Sequence, residues 1–102
     1  MAEQALDEQD IEEALRGLPG WRRAGDAIAA RYKGERSAVP ALYQEVAAAE
    51  DEANHHATVE ITYNSVGFTL STHDAGGKVT RRDVDQAGRI SALCAKHGFT
   101  VA

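Results

Sequence analysis

Cysteine is nearly absent from this sequence, which has one, Cys94, among 102 residues. A single thiol excludes an intrachain disulfide and is typical of proteins from a reducing compartment. Long apolar runs are absent too, so no segment reaches the length of a membrane helix. The acidic start MAEQALDEQD has neither the basic residues nor the apolar core of a signal peptide. These absences predict a cytoplasmic protein that does not enter a membrane.

Positive charge is also scarce, because the formal net charge at pH 7 is −5. Direct binding to nucleic acid requires a basic surface that can neutralise phosphates. The arginines are scattered along the chain and do not form a stripe. The sequence therefore predicts no direct contact with nucleic acid.

No low-complexity tract, internal repeat or linker interrupts the chain, which predicts one domain over residues 1–102. A content of 43% hydrophobic and 26% charged residues is typical of globular proteins. A chain of this length builds only a modest core, so oligomerisation would be a natural source of additional buried surface.

Two helices are predicted in the first half of the chain. Residues 7–18 carry apolar side chains at i, i+3, i+4 and i+7, and Asp7 precedes them as an N-cap. A second, alanine-rich segment is predicted to start with Ser37 as its cap and to end near Asn54.

Alternating apolar and polar residues predict two hairpins. The first covers residues 21–32, and the second covers residues 58–71 with its turn at Asn64-Ser65. A third helix then begins at Thr80, which stands three residues before Asp83 in the spacing of a capping box. It is predicted to stop at a His-Gly pair near the end of the chain.

The predicted order of elements is α-β-β-α-β-β-α. Hairpins separated by helices indicate an α+β fold, with a four-stranded antiparallel sheet and helices packed on one face. The edge strands of such a sheet are left able to pair with another subunit.

Three of the four histidines fall around the second hairpin, at His55, His56 and His73. Counting outward from a turn at Asn64-Ser65 places His56 opposite His73, at the end of the paired strands. Asp83 follows closely in sequence. The pattern thus predicts imidazoles and carboxylates gathered at one end of the hairpin.

A metal site is one interpretation of this group. It would use His55, His73 and either Asp51 or Asp83 as ligands. Asp51 and His55 have i, i+4 spacing, which is workable on a helix. His55 and His56, however, are adjacent in extended chain and point to opposite sides, so they would not easily share one ion. Acid–base chemistry is the stronger interpretation.

An acid–base site would need one protonated and one neutral imidazole beside a substrate. The negative end of the second helix would favour a protonated His55, and Asp83 could orient one ring. Structural explanations compete with these roles. Asp83 stabilises a helix start in any case, Asp51 lies in an acidic run typical of a solvated face, and His97 suits a helix C-terminus.

The same residues resemble a known family. The spacing Asp51-x-x-x-His55-His56, then Tyr63-Asn64, then TLSTHDAGG and finally Asp83 is similar to that of pterin-4a-carbinolamine dehydratases. These proteins are also described as dimerisation cofactors of a homeodomain transcription factor. The upstream segments LPGW and YQEVAAAEDEANHH extend the resemblance over nearly the whole chain.

The resemblance implies an enzyme that removes water from a 4a-hydroxytetrahydropterin to give a quinonoid dihydropterin, as in tetrahydrobiopterin-type cofactor recycling. It implies no metal and no organic cofactor. His55 and His73 would be the acid–base pair, His56 would position the pterin and Asp83 would support the histidines. Residues that would line the substrate site are Asp51, Ala57, Thr72, Asp74 and Ala75.

The resemblance also implies a homodimer or homotetramer. Two alternatives stay open: a non-catalytic binding or assembly module on the same scaffold, as a transcription cofactor or assembly chaperone, and the same site acting on another pterin. The chain departs from the family at three positions. Ala57 replaces a proline that would restrict His56, Val59 replaces an aromatic surface, and Lys78 lengthens the loop after His73.

Overall fold

The structure is a computed structural model that describes residues 4–102. The first three residues of the predicted domain lie outside this range. The helices and strands are, in chain order, α1 Glu8–Arg16, β1 Arg22–Ala24, β2 Ala27–Lys33, α2 Val39–Ala53, β3 Thr58–Thr62, β4 Ser65–Leu70, α3 Arg81–Lys96 and β5 Thr100–Val101. The seven predicted elements are present in the predicted order, and the two-residue β5 was not predicted.

All strand pairs in the sheet are antiparallel, and the strands lie in the order β1-β2-β4-β3. β5 pairs with the end of β2, through Tyr32 and Lys33, on the same edge as β1. The predicted α+β fold with an open antiparallel sheet is therefore confirmed. β3 is an edge strand, which leaves Ile61 44% exposed where the sequence predicted a half-buried strand.

The core lies between the sheet and the helices. Alternate residues of β2 and β4 point inward, and the same cluster contains the buried face of each helix. The largest fully buried apolar side chains are Phe68, Ile28, Leu42, Leu70, Ile90, Val46, Val66 and Val79. Burial raises the pKa of the Cys94 thiol to about 12, so the thiol is protonated at neutral pH. Within residues 4–102, none of the helices is both long and apolar enough to cross a membrane.

The helix ends follow local sequence chemistry with one exception. Asp7 caps α1, and Thr80 and Asp83 form the predicted capping box at α3. Asn54 ends α2 in the left-handed conformation at φ 50°. The prediction that Ser37 caps α2 was wrong, because a short 3₁₀ helix, Arg36–Ala38, leads directly into it.

The register of the second hairpin also differs from the prediction. Thr62 pairs with Ser65, so the turn consists of Tyr63 and Asn64, with Tyr63 at φ 52°. The strands are shifted by two residues, which keeps every side chain on its predicted face. Only a shift by an odd number would have reversed the faces, so the apolar pattern could not distinguish the two registers.

A candidate active site at the end of the second hairpin

Three segments of the chain meet beyond the paired ends of β3 and β4. They are the connection from α2 to β3, the loop after β4 and the first turn of α3. Together they form a cleft of about 310 Å³, here called the histidine cleft, lined by Asn54, His55, His56, Ser71, Thr72, His73, Asp74 and Arg82. A cavity of about 350 Å³ between α2 and α3 is slightly larger, but no histidine lines it. The imidazoles that an acid–base site requires therefore lie in the histidine cleft.

His55 and Asp83 form a buried pair in the wall of the histidine cleft. The His55 Nε2 and Asp83 Oδ1 atoms are 2.5 Å apart, and the two side chains are 7% and 0% exposed. The capping box fixes Asp83 at the start of α3, so the helix start determines where the carboxylate lies. A carboxylate in this position orients an imidazole and stabilises its charged form.

Two buried threonines hold the other oxygen of Asp83. Its Oδ2 atom accepts hydrogen bonds from the Thr72 hydroxyl at 2.7 Å and from the Thr80 backbone N–H at 2.9 Å. Because Thr72 donates its only hydroxyl proton to Asp83, the Thr80 hydroxyl must donate to Thr72, at 2.6 Å. Oδ2 of Asp83 therefore acts as an acceptor only.

The two ring nitrogens of His55 have different surroundings. When Asp83 accepts in the bond to His55 as well, Nε2 of His55 carries the proton that they share. The second nitrogen, Nδ1, accepts no hydrogen bond from any residue that the structure describes. A neutral His55 thus presents a free electron pair on Nδ1, as a general base requires.

His56 makes a second histidine–carboxylate pair in a different environment. Its Nε2 atom lies 3.0 Å from Oδ1 of Asp51, with the side chains 56% and 79% exposed. Asp51 belongs to the last turn of α2 and does not itself line the histidine cleft. His56 therefore lies at the solvent side of the cleft, whereas His55 lies in its wall.

His73 opens a tight loop on the other side of the cleft. The 3₁₀ helix His73–Ala75 is followed by Gly76 and Gly77, both with positive φ. The Thr72 N–H donates to the Lys78 carbonyl at 2.9 Å and closes the loop at its base. His73 is exposed. It directly follows Thr72, whose hydroxyl donates to Asp83.

Two further contacts in and behind the histidine cleft were not predicted from the sequence. The Arg82 guanidinium donates to the carbonyl of Asn54 at 2.7 Å, so a cation stabilises the negative C-terminal end of α2. Gln86 is buried and donates to the carbonyl of His55 at 3.5 Å. The position of Arg82 next to the capping box was the only sequence signal for its role.

Ala57 occupies the position where the resemblance predicts a proline. The Ala57 N–H donates to Oε2 of Glu50 at 2.7 Å, a bond that a proline could not form. Val59, the second departure, packs against the core from β3 and does not line the histidine cleft. Lys78, the third, lies at the base of the His73 loop.

The structure brings most of the predicted site residues together. His55, His56, Thr72, His73 and Asp74 line the histidine cleft. Asp83 contacts His55 from behind the wall of the cleft, and Asp51 contacts His56 from outside the cleft. Ala57 and Ala75 are close to cleft residues in sequence but do not line the cleft. Within residues 4–102, no three His, Cys, Asp or Glu side chains converge closely enough to hold a metal ion.

Comparison with known proteins identifies the family to which this arrangement belongs. Residues 4–93 match the model of the family described as pterin 4 alpha carbinolamine dehydratase. A Nocardia farcinica protein named for that activity is 43% identical over 94 residues, covering 91% of this chain and 98% of the relative. Full-length similarity of this kind extends across the histidine cleft and the helices that support it.

Two solved structures are similar in fold. One is a transcriptional coactivator/pterin dehydratase from Brucella melitensis, with a TM-score of 0.82, 30% identity, and coverage of 87% of this chain and 97% of the other. The second is a pterin dehydratase-like RuBisCO assembly factor of the alpha-carboxysome, with a TM-score of 0.61 and 23% identity. It covers 72% of this chain and 88% of its own, and at this identity it supports the fold alone.

Proposed function

Because the chain belongs to the pterin 4 alpha carbinolamine dehydratase family, we propose that the histidine cleft is its active site. The family makes the chain a hydro-lyase that acts on a pterin carbinolamine. We infer that the reaction proceeds by general acid–base catalysis by two histidines. The observation that carries this proposal is the buried His55–Asp83 pair, because it leaves a basic nitrogen at the wall of the cleft.

In the proposed reaction, His55 is the base. Nδ1 of His55 takes the proton from N5 of a 4a-hydroxytetrahydropterin. The N5 electron pair forms the N5=C4a double bond as the C4a–O bond breaks. The imidazolium formed on His55 is stabilised by Asp83 through the 2.5 Å hydrogen bond.

His73 is the proposed acid. Its exposed ring donates a proton to the leaving hydroxyl, which departs as water. Proton exchange with solvent then restores neutral His55 and protonated His73. The sum is loss of one water and formation of a quinonoid dihydropterin, and no electron acceptor is required. Histidine suits both steps because its ordinary pKa is near neutral.

The remaining residues of the cleft are proposed to bind the pterin. His56, held by Asp51, would contact the substrate at the open side. Asp74, which is exposed and lines the cleft from the His73 loop, would contact the substrate from the other side. This assignment places recognition on exposed residues and proton removal on the buried pair.

A direct assay tests the proposal. A 4a-hydroxytetrahydropterin generated in the cuvette should lose water faster when the purified protein is added. The His73→Ala variant should reduce kcat by about 10²-fold or more, the usual contribution of a positioned acid. His97→Ala is the matched control, because His97 pairs with Glu45 away from the cleft. Full activity in His73→Ala with the fold intact would remove His73 from the mechanism.

The place of this reaction in metabolism follows from its chemistry. A 4a-hydroxylated pterin is the product expected when a reduced pterin gives one oxygen atom to a substrate, so a pterin-dependent monooxygenase must supply it. We propose that the chain serves such cofactor recycling. Assays with substrates that differ in the pterin side chain would identify the form that it accepts.

A binding or assembly role is the second candidate. Similarity to a protein titled transcriptional coactivator/pterin dehydratase favours a scaffold that can bind a protein partner. The two roles separate experimentally, because His73→Ala should abolish turnover and leave partner binding unchanged. Robust turnover without any captured partner would favour the enzyme alone.

We also propose that the chain forms oligomers through the edge of β3. Ile61 is 44% exposed on this unpaired edge strand, and Tyr63 in the adjoining turn is 71% exposed, an arrangement that favours strand pairing between subunits. Light scattering should give a mass of at least two chains. Ile61→Lys should lower it, since charge on an edge strand opposes pairing. A monomeric parent protein would contradict this assignment.

A further inference from the structure

Glu50 holds both ends of the segment that carries the two adjacent histidines. Its backbone carbonyl accepts the His55 N–H at 3.0 Å. Its side-chain Oε2 accepts the Ala57 N–H at 2.7 Å. One residue of α2 therefore bonds the chain immediately before and immediately after His56.

The carboxylate of Glu50 is in an unusual place for an acidic residue. Glu50 is 4% exposed, and no lysine, arginine or histidine among residues 4–102 forms an ion pair with it. Burying a carboxylate has a large free-energy cost unless hydrogen bonds compensate. Here a backbone N–H supplies one, and charge-assisted bonds of this kind are among the strong ones.

The neighbouring peptide groups are fixed as well. Gln86 donates to the His55 carbonyl, and Arg82 donates to the Asn54 carbonyl. The bond to Ala57 is thus the one that fixes the downstream end of the segment. Without it, the backbone of His56 would be free to turn between His55 and the start of β3.

We propose that Glu50 is a positioning residue, which sets the backbone of His55 and His56 by accepting the Ala57 N–H. This inference rests on the proposed function, because the consequence of correct positioning is turnover. It assigns Glu50 no contact with substrate. Its role is that of an acceptor, so an amide oxygen should serve as well as a carboxylate.

Three variants test the proposal by activity. Glu50→Ala should lower kcat/KM by about tenfold or more, because small displacements of catalytic groups have effects of this size. Glu50→Gln should stay within about twofold of the parent, since it retains an acceptor. Glu52→Gln is the matched control, because Glu52 is exposed one residue beyond Asp51 and pairs only loosely with Arg89, at 3.6 Å.

The Ala57→Pro substitution tests the hydrogen bond between Glu50 and Ala57 separately from the other contacts of Glu50. Proline has no N–H and restricts the residue before it, so it removes the need for an acceptor. Glu50→Ala should therefore reduce activity much less in the Ala57→Pro background than in the parent. Equal losses in both backgrounds, or a Glu50→Gln variant as impaired as Glu50→Ala, would overturn the proposal.

Hydrogen exchange at Ala57 gives a measurement that does not depend on turnover. The Ala57 amide should be protected in the parent and in Glu50→Gln, and should exchange about tenfold faster or more in Glu50→Ala. Unchanged exchange in a folded Glu50→Ala variant would contradict the inference whatever the substrate is. A protected amide in a parent protein without dehydratase activity would instead contradict only the proposed function.

Discussion

Two histidine–carboxylate pairs lie side by side in this molecule and differ in almost every physical respect. His55–Asp83 is buried, short and supported by Thr72 and Thr80. His56–Asp51 is exposed and has no further support among residues 4–102. The histidines are neighbours, so extended backbone directs their rings to opposite sides. Burial and hydrogen-bond support, not residue type, distinguish the two pairs and underlie the different roles proposed for them.

Removing Asp83 should have the largest effect. Asp83→Ala leaves the Thr72 hydroxyl, the Thr80 N–H and the His55 ring without their acceptor, and breaking a buried pair costs about 3–5 kcal/mol. Urea unfolding followed by circular dichroism should show this loss. Asp83→Asn preserves the shape and should still lower kcat by about 10²-fold, because His55 loses its orienting charge. A stability loss below 1 kcal/mol in Asp83→Ala would mean that the network contributes little.

Thr72→Val should have an intermediate effect. It removes one hydrogen bond to Asp83 and leaves the proton of the Thr80 hydroxyl without an acceptor, which should cost about 1–3 kcal/mol. Thr69→Val is the matched control, since Thr69 lies on the outer face of β4. Equal unfolding free energies for the two variants would contradict the importance of the hydroxyl pair.

Asp51→Ala should have a much smaller effect on stability. An exposed pair at 3.0 Å is worth about 0–1 kcal/mol, and salt screens it. We expect the unfolding free energy to change by less than 1 kcal/mol, and any change in activity to appear in KM more than in kcat. A fall in kcat comparable to that of Asp83→Asn would show that the exposed pair takes part in the chemistry.

A substitution of Glu45 should have the smallest effect, because Glu45 pairs with Lys96 and His97 away from the cleft. Hydrogen bonds from Lys96 and then His97 lower the pKa of Glu45 from its ordinary value of 4.5. A carboxylate with a lowered pKa stabilises the folded state above its ordinary pKa, and this contribution is lost as pH falls through the lowered value. Glu45→Gln should thus lower the Tm slightly at neutral pH. The difference from the parent should vanish in acid, and a difference that grows with acidity would contradict the assignment.

Local patterns in the sequence predicted much of the fold for a physical reason. Helix caps and strand alternation depend on residues within a few positions of each other, as at Asp7, Thr80 and Asn54. The short separation of Asp83 from His73 suggested that it orients a histidine, and the family resemblance implied the same role. Residues 55 and 83 are distant in sequence, and composition alone does not specify that contact.

The sequence could not predict the structure where one pattern of apolar and polar residues fits two arrangements. A two-residue slip of the second hairpin preserves both faces, so the turn position could not be predicted. Glu50 lies in the run EDE, which is typical of a solvated surface, and its burial depends on tertiary packing. The strand β5 has only two residues, too few to show alternation.

The bond between Thr72 and Lys78 has a consequence for how the chain tolerates insertions and deletions. His73 is attached directly to one side of this closure, and Asp83 follows the other side through the start of α3. Changes in length between residues 74 and 77 would therefore alter only the tip of the loop. Gly76 and Gly77 form that tip with open space around them. Related sequences can differ in length here and still keep His73 and Asp83 in register, which makes the tip the natural place for variation that leaves the histidine cleft undisturbed.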